Sequence, residues 1–395
     1  MKFKTQLLFI FLVFMSSCAP KEPASTQLPI PTLMSITQKS TTIPTVMNIT
    51  PKPTITFPAV ATVQMKTKYL AYDVVQDSQT YIALLPIECL GKKGPNCQER
   101  GIPDTYQRDM AGPLIWDASG NKLGLISNIN GKQNLTILSF DTFPPTPTLF
   151  GTPEREDCPT WSPDGKRLAI TKENSANEKP GPELWLIALD KQEQKLTDEG
   201  GCASWSPDGL SILFTHYTND ANLGGNIYLL NTINLSALDK TTLKTNLDRV
   251  ANASFSPDGT QIVFDGIKND RQSIYMIKTN GAGLQELTAT LPEASSPIWS
   301  PTGKQIVFTS QTSHTTPREI YVMDSVGKHL LNITNTPTWD DYSPAWSPDG
   351  TQLAYVSLRD SGQFNIYVVN KDGTGLAKVT DETTTSEFNY PSWQP

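Results

Sequence analysis

The chain has 395 residues, of which 37% are hydrophobic, and a formal net charge of −7. It is acidic and has no runs of basic residues, which argues against nucleic acid as a partner. Beyond the first residues, no stretch of the sequence is apolar for long enough to cross a bilayer.

The first residues have the pattern of a bacterial export signal. Lys2 and Lys4 supply a positive start, and residues 7–14 form an apolar core that is too short to span a membrane. Residues 15–18 read Met-Ser-Ser-Cys and resemble the lipobox of bacterial lipoproteins, with Met in place of the usual Leu. The resemblance implies a signal peptide over residues 1–17 and a lipidated, palmitate-bearing N-terminus at Cys18. The alternative is an ordinary signal peptide with an incidental cysteine.

A proline- and threonine-rich segment follows. Residues 19–65 contain one aromatic residue, Phe57, and show no hydrophobic periodicity. Such a segment buries too little apolar surface to offset the entropy of ordering it, and its prolines favour extended stretches. We therefore predict that residues 18–65 are a disordered tether from a membrane anchor to a folded domain over residues 66–395.

The folded domain contains an internal repeat. Trp-Ser-Pro-Asp-Gly or a close variant begins at six aromatic residues, and Trp393 starts a further copy; the series is Trp116, Trp161, Trp205, Phe255, Trp299, Trp346 and Trp393. Successive aromatic residues are 45, 44, 50, 44, 47 and 47 positions apart. A self-similar period of this length indicates an array of identical supersecondary units.

One copy of the repeat predicts four short strands. Residues 344–346 end in the turn formed by residues 347–350, which leads into a second strand over residues 352–356. A polar loop precedes a third strand over residues 365–369, and the turn at residues 371–375 leads into a fourth over residues 376–380. Four antiparallel strands joined by tight turns form one propeller blade.

This repeat resembles that of the TolB-type β-propellers, a WD-repeat-like family, over residues 66–395. The fold class is therefore expected to be all-β. Residues 70–73 and 81–84 match a second and a third strand, so the chain enters in the middle of a blade. Residues 390–393 supply the missing first strand, which predicts a closed ring of seven blades with no open sheet edge. Six blades are the alternative, as in TolB itself, if residues 70–85 are not a half-blade.

Four cysteines remain after Cys18, as is usual in an oxidising compartment. Cys89 and Cys97 bracket a short polar loop that a disulfide closes easily. Cys158 and Cys202 each lie three residues before a repeat tryptophan, at equivalent places on adjacent blades. We predict disulfides Cys89–Cys97 and Cys158–Cys202, with two buried free thiols as the alternative to the second.

No catalytic motif is present, and no cofactor or metal is expected. The sequence lacks a nucleophile elbow, a P-loop, a dinucleotide fingerprint and the Cys-x-x-Cys spacing of zinc sites. His216 and His314 are predicted on loops of one face and His329 on the other, so three histidines do not form one metal site. The propeller lyases that act on oligogalacturonate use a histidine-rich metal centre. The predicted positions of the three histidines disfavour such a centre here, and with it a resemblance to those lyases.

The acidic connections between blades are the one candidate site. The recurring tryptophans and Ser-Pro-Asp-Gly turns are expected to be structural, because they recur in nearly every blade. The connections into the first strands are acidic and share a face with the long second-to-third-strand loops. The candidate rim residues are Asp198, Glu199, Trp339, Asp340, Asp341 and Tyr342, flanked by Glu154, Glu156, Asp157, Asp381 and Glu382. Solvated loop charge is the alternative.

These features favour a non-enzymatic binding lipoprotein in the bacterial cell envelope. The resemblance to TolB implies a protein or peptide partner in the envelope, with membrane contact through the lipid and a monomeric propeller. Glycan binding or cleavage at the channel mouth is a second hypothesis, and a structural spacer is a third. Fold alone does not choose among them.

Overall fold

The computed structural model describes residues 67–76, 79–92, 97, 99–102, 113–129, 132–150, 155–174, 181–215, 225–232, 239–360, 362–380 and 387–395. The predicted signal peptide, the lipidation site Cys18 and the predicted tether lie outside these residues. Apart from a short 3₁₀ turn at Ile87–Cys89, every regular element described is a β-strand. No helix within the described ranges is long and apolar enough to cross a bilayer.

The strands form seven four-stranded antiparallel sheets. Blade 1 holds β1 (Tyr69–Gln76), β2 (Gln79–Pro86) and β3 (Arg100–Ile102), and blade 2 holds β4 (Ile115–Trp116), β5 (Lys122–Ile129), β6 (Lys132–Ser139) and β7 (Thr146–Phe150). Blade 3 holds β8 (Arg155–Trp161), β9 (Arg167–Asn174), β10 (Gly181–Ala188) and β11 (Glu193–Thr197), and blade 4 holds β12 (Ala203–Trp205), β13 (Ser211–Thr215), β14 (Asn226–Asn231) and β15 (Lys240–Lys244).

Blades 5 to 7 continue the same order. Blade 5 holds β16 (Arg249–Phe255), β17 (Gln261–Lys268), β18 (Arg271–Lys278) and β19 (Gln285–Glu286). Blade 6 holds β20 (Glu293–Trp299), β21 (Gln305–Gln311), β22 (Glu319–Asp324) and β23 (Leu331–Asn332). Blade 7 holds β24 (Asp341–Trp346), β25 (Gln352–Ser357), β26 (Asn365–Asn370) and β27 (Ala377–Lys378). The last strand, β28 (Glu387–Trp393), is the first strand of blade 1. First strands of neighbouring blades contact each other, as β8 and β12 do, so they surround the centre of the ring.

The ring closes as the sequence predicts. β28 pairs antiparallel with β1, with Leu70 opposite Trp393 and Val74 opposite Phe388. The prediction of seven blades closed by the C-terminal strand is therefore confirmed, and the six-blade alternative is wrong.

At this closure, the side chain of Gln394 makes a hydrogen bond that the turn between the first and second strands makes in other blades. In blade 3, Ser162 N–H donates to Arg167 O, and Arg167 N–H donates to Ser162 Oγ. At the closure Gln394 N–H donates to Tyr69 O, and Tyr69 N–H donates to Gln394 Oε1 over 2.9 Å. Gln394 Nε2 also donates to Gly120 O in blade 2 over 2.6 Å. One side chain thus reproduces the turn between the two ends of the chain and joins blade 1 to blade 2.

Five of the repeated tryptophans connect their blade to the one before it. Their side chains are buried, and the indole Nε1 donates to the carbonyl that directly precedes the aromatic residue of the preceding blade. The bonds run from Trp116 to Ser392 (3.3 Å), Trp161 to Ile115 (3.1 Å), Trp205 to Thr160 (3.3 Å), Trp346 to Ile298 (3.2 Å) and Trp393 to Ala345 (3.1 Å). The indole therefore fixes the position of one blade on the next as well as burying apolar area.

The Ser-Pro-Asp-Gly turns are structural, as predicted. Asp208 Oδ1 accepts hydrogen bonds from Ser206 Oγ and from Leu210 N–H, and these bonds hold the pKa of Asp208 below its usual value. Gly209 adopts a φ of +70°, and a Cβ there would lie 3.6 Å from Pro163 Cδ in the preceding blade. The turns of adjacent blades therefore interlock at one face of the ring.

Five first strands carry the same β-bulge. In each of them a non-glycine residue with positive φ stands three positions before the aromatic residue; these are Cys158 (49°), Asn252 (50°), Ser296 (55°), Ser343 (51°) and Tyr390 (49°). Proline follows four of these five residues. A bulge leaves its extra residue out of the strand ladder, so a proline that cannot donate is tolerated there.

Both predicted disulfides are present. Cys89 pairs with Cys97 and Cys158 with Cys202, each with a Cα–Cα distance of 5.2 Å. The second bridge joins blades 3 and 4, where β12 has three residues and β8 has seven. The bridge therefore stabilises the junction at which β12 is shorter than β8. A typical disulfide adds about 2–4 kcal/mol to the free energy of unfolding.

Replacing Gln394 by Ala is expected to destabilise the whole ring. The change leaves Tyr69 N–H and Gly120 O buried without their partner, which costs about 2–4 kcal/mol of unfolding free energy. Urea unfolding followed by tryptophan fluorescence measures this loss. Gln192→Ala, at an exposed turn, is the matched control and should change the midpoint little. Equal midpoints for the two variants would contradict the role given to Gln394.

Candidate functional site

The predicted rim residues lie on two connections between blades. Asp198 and Glu199 follow β11 and lead into blade 4, whereas Trp339 and Asp340 precede β24 of blade 7. Because strands alternate in direction, these connections share a face with the loops that join second to third strands. The two acidic pairs are three blades apart around the ring, so the structure does not bring them together.

Each carboxylate of the blade 3–4 connection is paired with a lysine. Asp198 Oδ1 lies 2.5 Å from Lys195 Nζ, and this hydrogen bond raises the pKa of Lys195. Glu199 Oε2 lies 3.0 Å from Lys240 Nζ. All four side chains are at least 39% exposed, so solvent screens both pairs and they contribute little to stability.

Asp340 is bound by an arginine from the neighbouring loop. Arg318 donates from its backbone N–H and from Nε to Asp340 Oδ1 over 2.8 and 2.9 Å, and from Nη2 to Oδ2. The hydrogen bonds to Asp340 raise the pKa of Arg318. The same guanidinium lies 4.7 Å from the centre of the Tyr342 ring. Arg318 therefore fixes both the charge and the orientation of this connection.

Asp341 is buried and belongs to the interior of blade 7. Its side chain is 0% exposed, and its Oδ1 lies 3.4 Å from Nη2 of Arg359, which is 13% exposed. Thr336 Oγ1 donates to its other oxygen. Arg359 also stacks against Tyr367, at 4.7 Å from the ring centre. Asp341 therefore anchors the connection rather than facing solvent.

Three aromatic residues lie beside these pairs, of which Trp339 is exposed and Tyr342 and Phe364 are half-buried. Trp339 is 38% exposed. Tyr342 packs edge-on against Phe364, with ring centres 6.1 Å apart, and its hydroxyl donates to Asn389 Oδ1 over 3.3 Å. We call the surface formed by Arg318, Trp339, Asp340, Tyr342 and Phe364 the blade 6–7 platform. Sequence reasoning identified three of these residues and missed Arg318 and Phe364, which lie on other loops.

The two remaining acidic candidates that the structure describes, Glu156 and Asp157, are bound within the fold. Glu156 is buried between blades, where it accepts from Leu135 N–H over 2.6 Å and lies 3.6 Å from Lys172 Nζ. Asp157 Oδ1 accepts from the adjacent Cys158 N–H. Glu154, Asp381 and Glu382 lie outside the described residues. Every described carboxylate of the predicted rim thus has a partner within the fold, whereas the side chain of Trp339 is exposed.

The histidines are apart from one another. His314 Nδ1 lies 3.1 Å from Glu293, and His329 Nδ1 lies 2.8 Å from Asp324 on the third-to-fourth-strand turn of the same blade. His216 lies outside the described residues. In the part of the chain that the structure describes, no group of three or more His, Cys, Asp or Glu residues is arranged to hold a metal ion.

Comparison with known proteins finds similarity to TolB-type propellers. The TolB β-propeller domain family matches residues 293–395. The Tol-Pal system protein TolB of Francisella tularensis subsp. tularensis is 29% identical over 269 residues, which cover 66% of this chain. The chain spans 59% of the length of that relative.

Similar solved structures share the fold. TolB from Acinetobacter baumannii has 19% identity, covers 82% of each chain and superposes with a TM-score of 0.50. An oligogalacturonate lyase from Vibrio parahaemolyticus has 13% identity, covers 81% of this chain and 88% of its own, and has a TM-score of 0.52. TolB and an enzyme therefore share this architecture, and the fold alone does not indicate a function.

Replacing Arg359 by Met is expected to lower the free energy of unfolding by about 3–5 kcal/mol, because Asp341 stays buried without its counter-charge. Arg271→Met is the matched control. Arg271 is 39% exposed and paired with Glu286 at the surface, so its loss should cost less than about 1 kcal/mol. Adding Asp341→Asn to Arg359→Met should restore part of the loss. Similar small changes for both arginines in urea unfolding would contradict the role given to Arg359 as the counter-charge of Asp341.

Proposed function

We propose that the chain is a binding lipoprotein of the bacterial cell envelope. A lipid on Cys18 attaches it to a membrane, residues 18–65 serve as a tether, and the blade 6–7 platform of a monomeric propeller engages a protein or peptide partner. The likeness to TolB supports the envelope setting, since those relatives are proteins of the Tol-Pal system.

The observation that carries the proposal is the composition of the platform. Trp, Tyr and Arg are the residues that most often dominate binding energy at protein interfaces. Here the exposed Trp339 precedes Asp340 in the chain, and Arg318 binds Asp340 and lies over the Tyr342 ring, so Arg318 and Tyr342 are already fixed by internal contacts. A surface that is ordered before binding loses less conformational entropy when a partner docks.

The ion pairs bear on the kind of partner. Asp340 is satisfied by Arg318, so the platform offers aromatic area and hydrogen bonds rather than a net negative field. We expect recognition of a partner through an apolar or aromatic anchor, with only modest dependence on salt.

Binding should fail when the exposed indole is removed. Full-length protein with Trp339→Ala is used to capture cross-linked envelope proteins from the bacterium that carries the gene, and the captured partner is then titrated. We expect affinity to fall about 30-fold, the effect of losing a hot spot of about 2 kcal/mol. Leu376→Ala is the matched control, since Leu376 is 48% exposed on a third-to-fourth-strand turn at the opposite face.

The outcomes separate the three functional hypotheses. Equal losses in both variants, or none, would reject the platform. Trp339-dependent retention on a glycan array, without a protein partner, would favour the glycan hypothesis. Absence of any Trp339-dependent ligand would leave the structural spacer.

The lipid anchor has its own test. Cys18→Ala should move the protein from the membrane pellet to the soluble fraction, because stable attachment requires more than one acyl chain and these would be lost together. Ser17→Ala keeps the cysteine and is the matched control. If Cys18→Ala stays in the pellet as tightly as the unmodified protein, the lipoprotein proposal is wrong.

A further inference from the structure

The indole hydrogen bonds join five of the seven junctions between blades, and the two junctions without one both border blade 5. At the junction of blades 4 and 5, Phe255 stands where the other blades have Trp, so it has no N–H to donate. At the junction of blades 5 and 6, Trp299 Nε1 is buried and has no hydrogen-bond partner in the described structure. In the described structure, no indole hydrogen bond therefore joins blade 5 to blade 4 or to blade 6.

Blade 5 also contains the other unsatisfied buried side chain. Ser273 Oγ has no partner among the described residues. At the equivalent position blade 3 has Glu183, which accepts from Trp185 Nε1 over 2.9 Å, and blade 7 has Asn365, which accepts from Thr380 Oγ1 over 2.9 Å. Serine is too short to make these contacts. The two buried polar atoms left unpaired in the described chain thus lie within blade 5 or at its border.

Space opens at the same border. A cavity of about 290 Å³ lies between the turns of blades 5 and 6, lined by Ser256, Pro257, Asp258, Gln261, Thr302 and Gly303. Thr302 stands where four of the other turns have aspartate, and the oxygens of Ser300 and Thr302 are 3.2 Å apart. The corresponding Ser347–Asp349 hydrogen bond in blade 7 is 2.6 Å. The turn that abuts blade 5 is therefore held less tightly.

Apolar packing keeps blade 5 in place. Leu213 of blade 4 packs in one buried cluster with Phe264, and Val263 packs in another with Phe308 of blade 6. Among the described residues, blade 5 still has a hydrogen bond at the inner edge, where Asp265 Oδ1 accepts from Ser296 N–H over 3.3 Å, and one from Arg271 Nη1 to Ala289 O, in the connection to blade 6, over 3.1 Å. Apolar contacts are non-directional, so they resist small displacements less than hydrogen bonds do.

We propose that blade 5 is the gate of this ring: its junctions with blades 4 and 6 open before any other junction. Because the first strands surround the centre, displacement of β16 widens the central channel while the other blades stay joined. The proposal concerns the ring itself and does not depend on which partner the platform binds.

Hydrogen exchange of the full-length protein, read by mass spectrometry, tests the gate. Exchange that follows local opening reports the free energy of that opening. We expect amides of β16 to exchange about two- to twelve-fold faster than those of β8 and β24, the ratio for one net hydrogen bond of about 0.5–1.5 kcal/mol. If β16 exchanges no faster than β8 and β24, the proposal is overturned.

A matched variant tests the cause. Trp161→Phe reproduces at the junction of blades 2 and 3 what the sequence has at blade 5, because it removes the indole that donates to Ile115 O. It should accelerate exchange of β8 into the range of β16 while β24 stays unchanged. Unchanged exchange of β8 would show that the indole bonds do not hold the junctions closed, and this result also overturns the proposal.

Discussion

The structure depends on one repeated contact, the hydrogen bond from a buried indole to the backbone carbonyl of the preceding blade. A blade touches only its two neighbours, so the ring closes only if every step between blades has nearly the same rotation. A bond from a rigid ring to a backbone atom fixes that step, whereas apolar packing alone allows sliding. The interlocked Gly209 and Pro163 add a second reference point at the turn face. Together they explain why tryptophan and the adjoining turn recur as one unit.

This scaffold presents a candidate binding surface that is already ordered. Arg318 holds Asp340 and stacks on Tyr342, while the buried Asp341 is compensated by Arg359. These contacts pair the carboxylates of Asp340 and Asp341 within the fold, and the indole of Trp339 stays accessible. The described carboxylates of a rim that looked acidic in the sequence are therefore paired within the fold. For the proposed partner we expect affinity from short-range contact rather than from long-range attraction.

The architecture was predictable because it is encoded locally and repeated. Spacing of the aromatic residues indicated the number of blades, and the half-blades at the two ends indicated the closure through β28. The Cys158–Cys202 bridge followed from the equivalent positions of its cysteines. The rim was harder, because Arg318 and Arg359 lie 22 and 18 residues from the carboxylates they bind. No local pattern links such loops, and the charge balance of the surface is set only when the blades are assembled. The effect of single residues that depart from the repeat was equally hard to predict. Phe255 looks like a conservative replacement for Trp, and the missing indole N–H matters only because the Trp of other blades donates to a backbone carbonyl.

The closure by β28 makes the order of synthesis matter. Blade 1 begins with the first strand of the propeller to leave the ribosome, yet it lacks its innermost strand until residues 387–395 have been added. Blades 2 to 7 are therefore complete before the edge of β1 is covered, and the ring closes in a single late step. A chain that stops short of Trp393 keeps that edge open, where chaperones and proteases act on unfinished proteins. The same strand thus completes the ring only after every other blade has been synthesised.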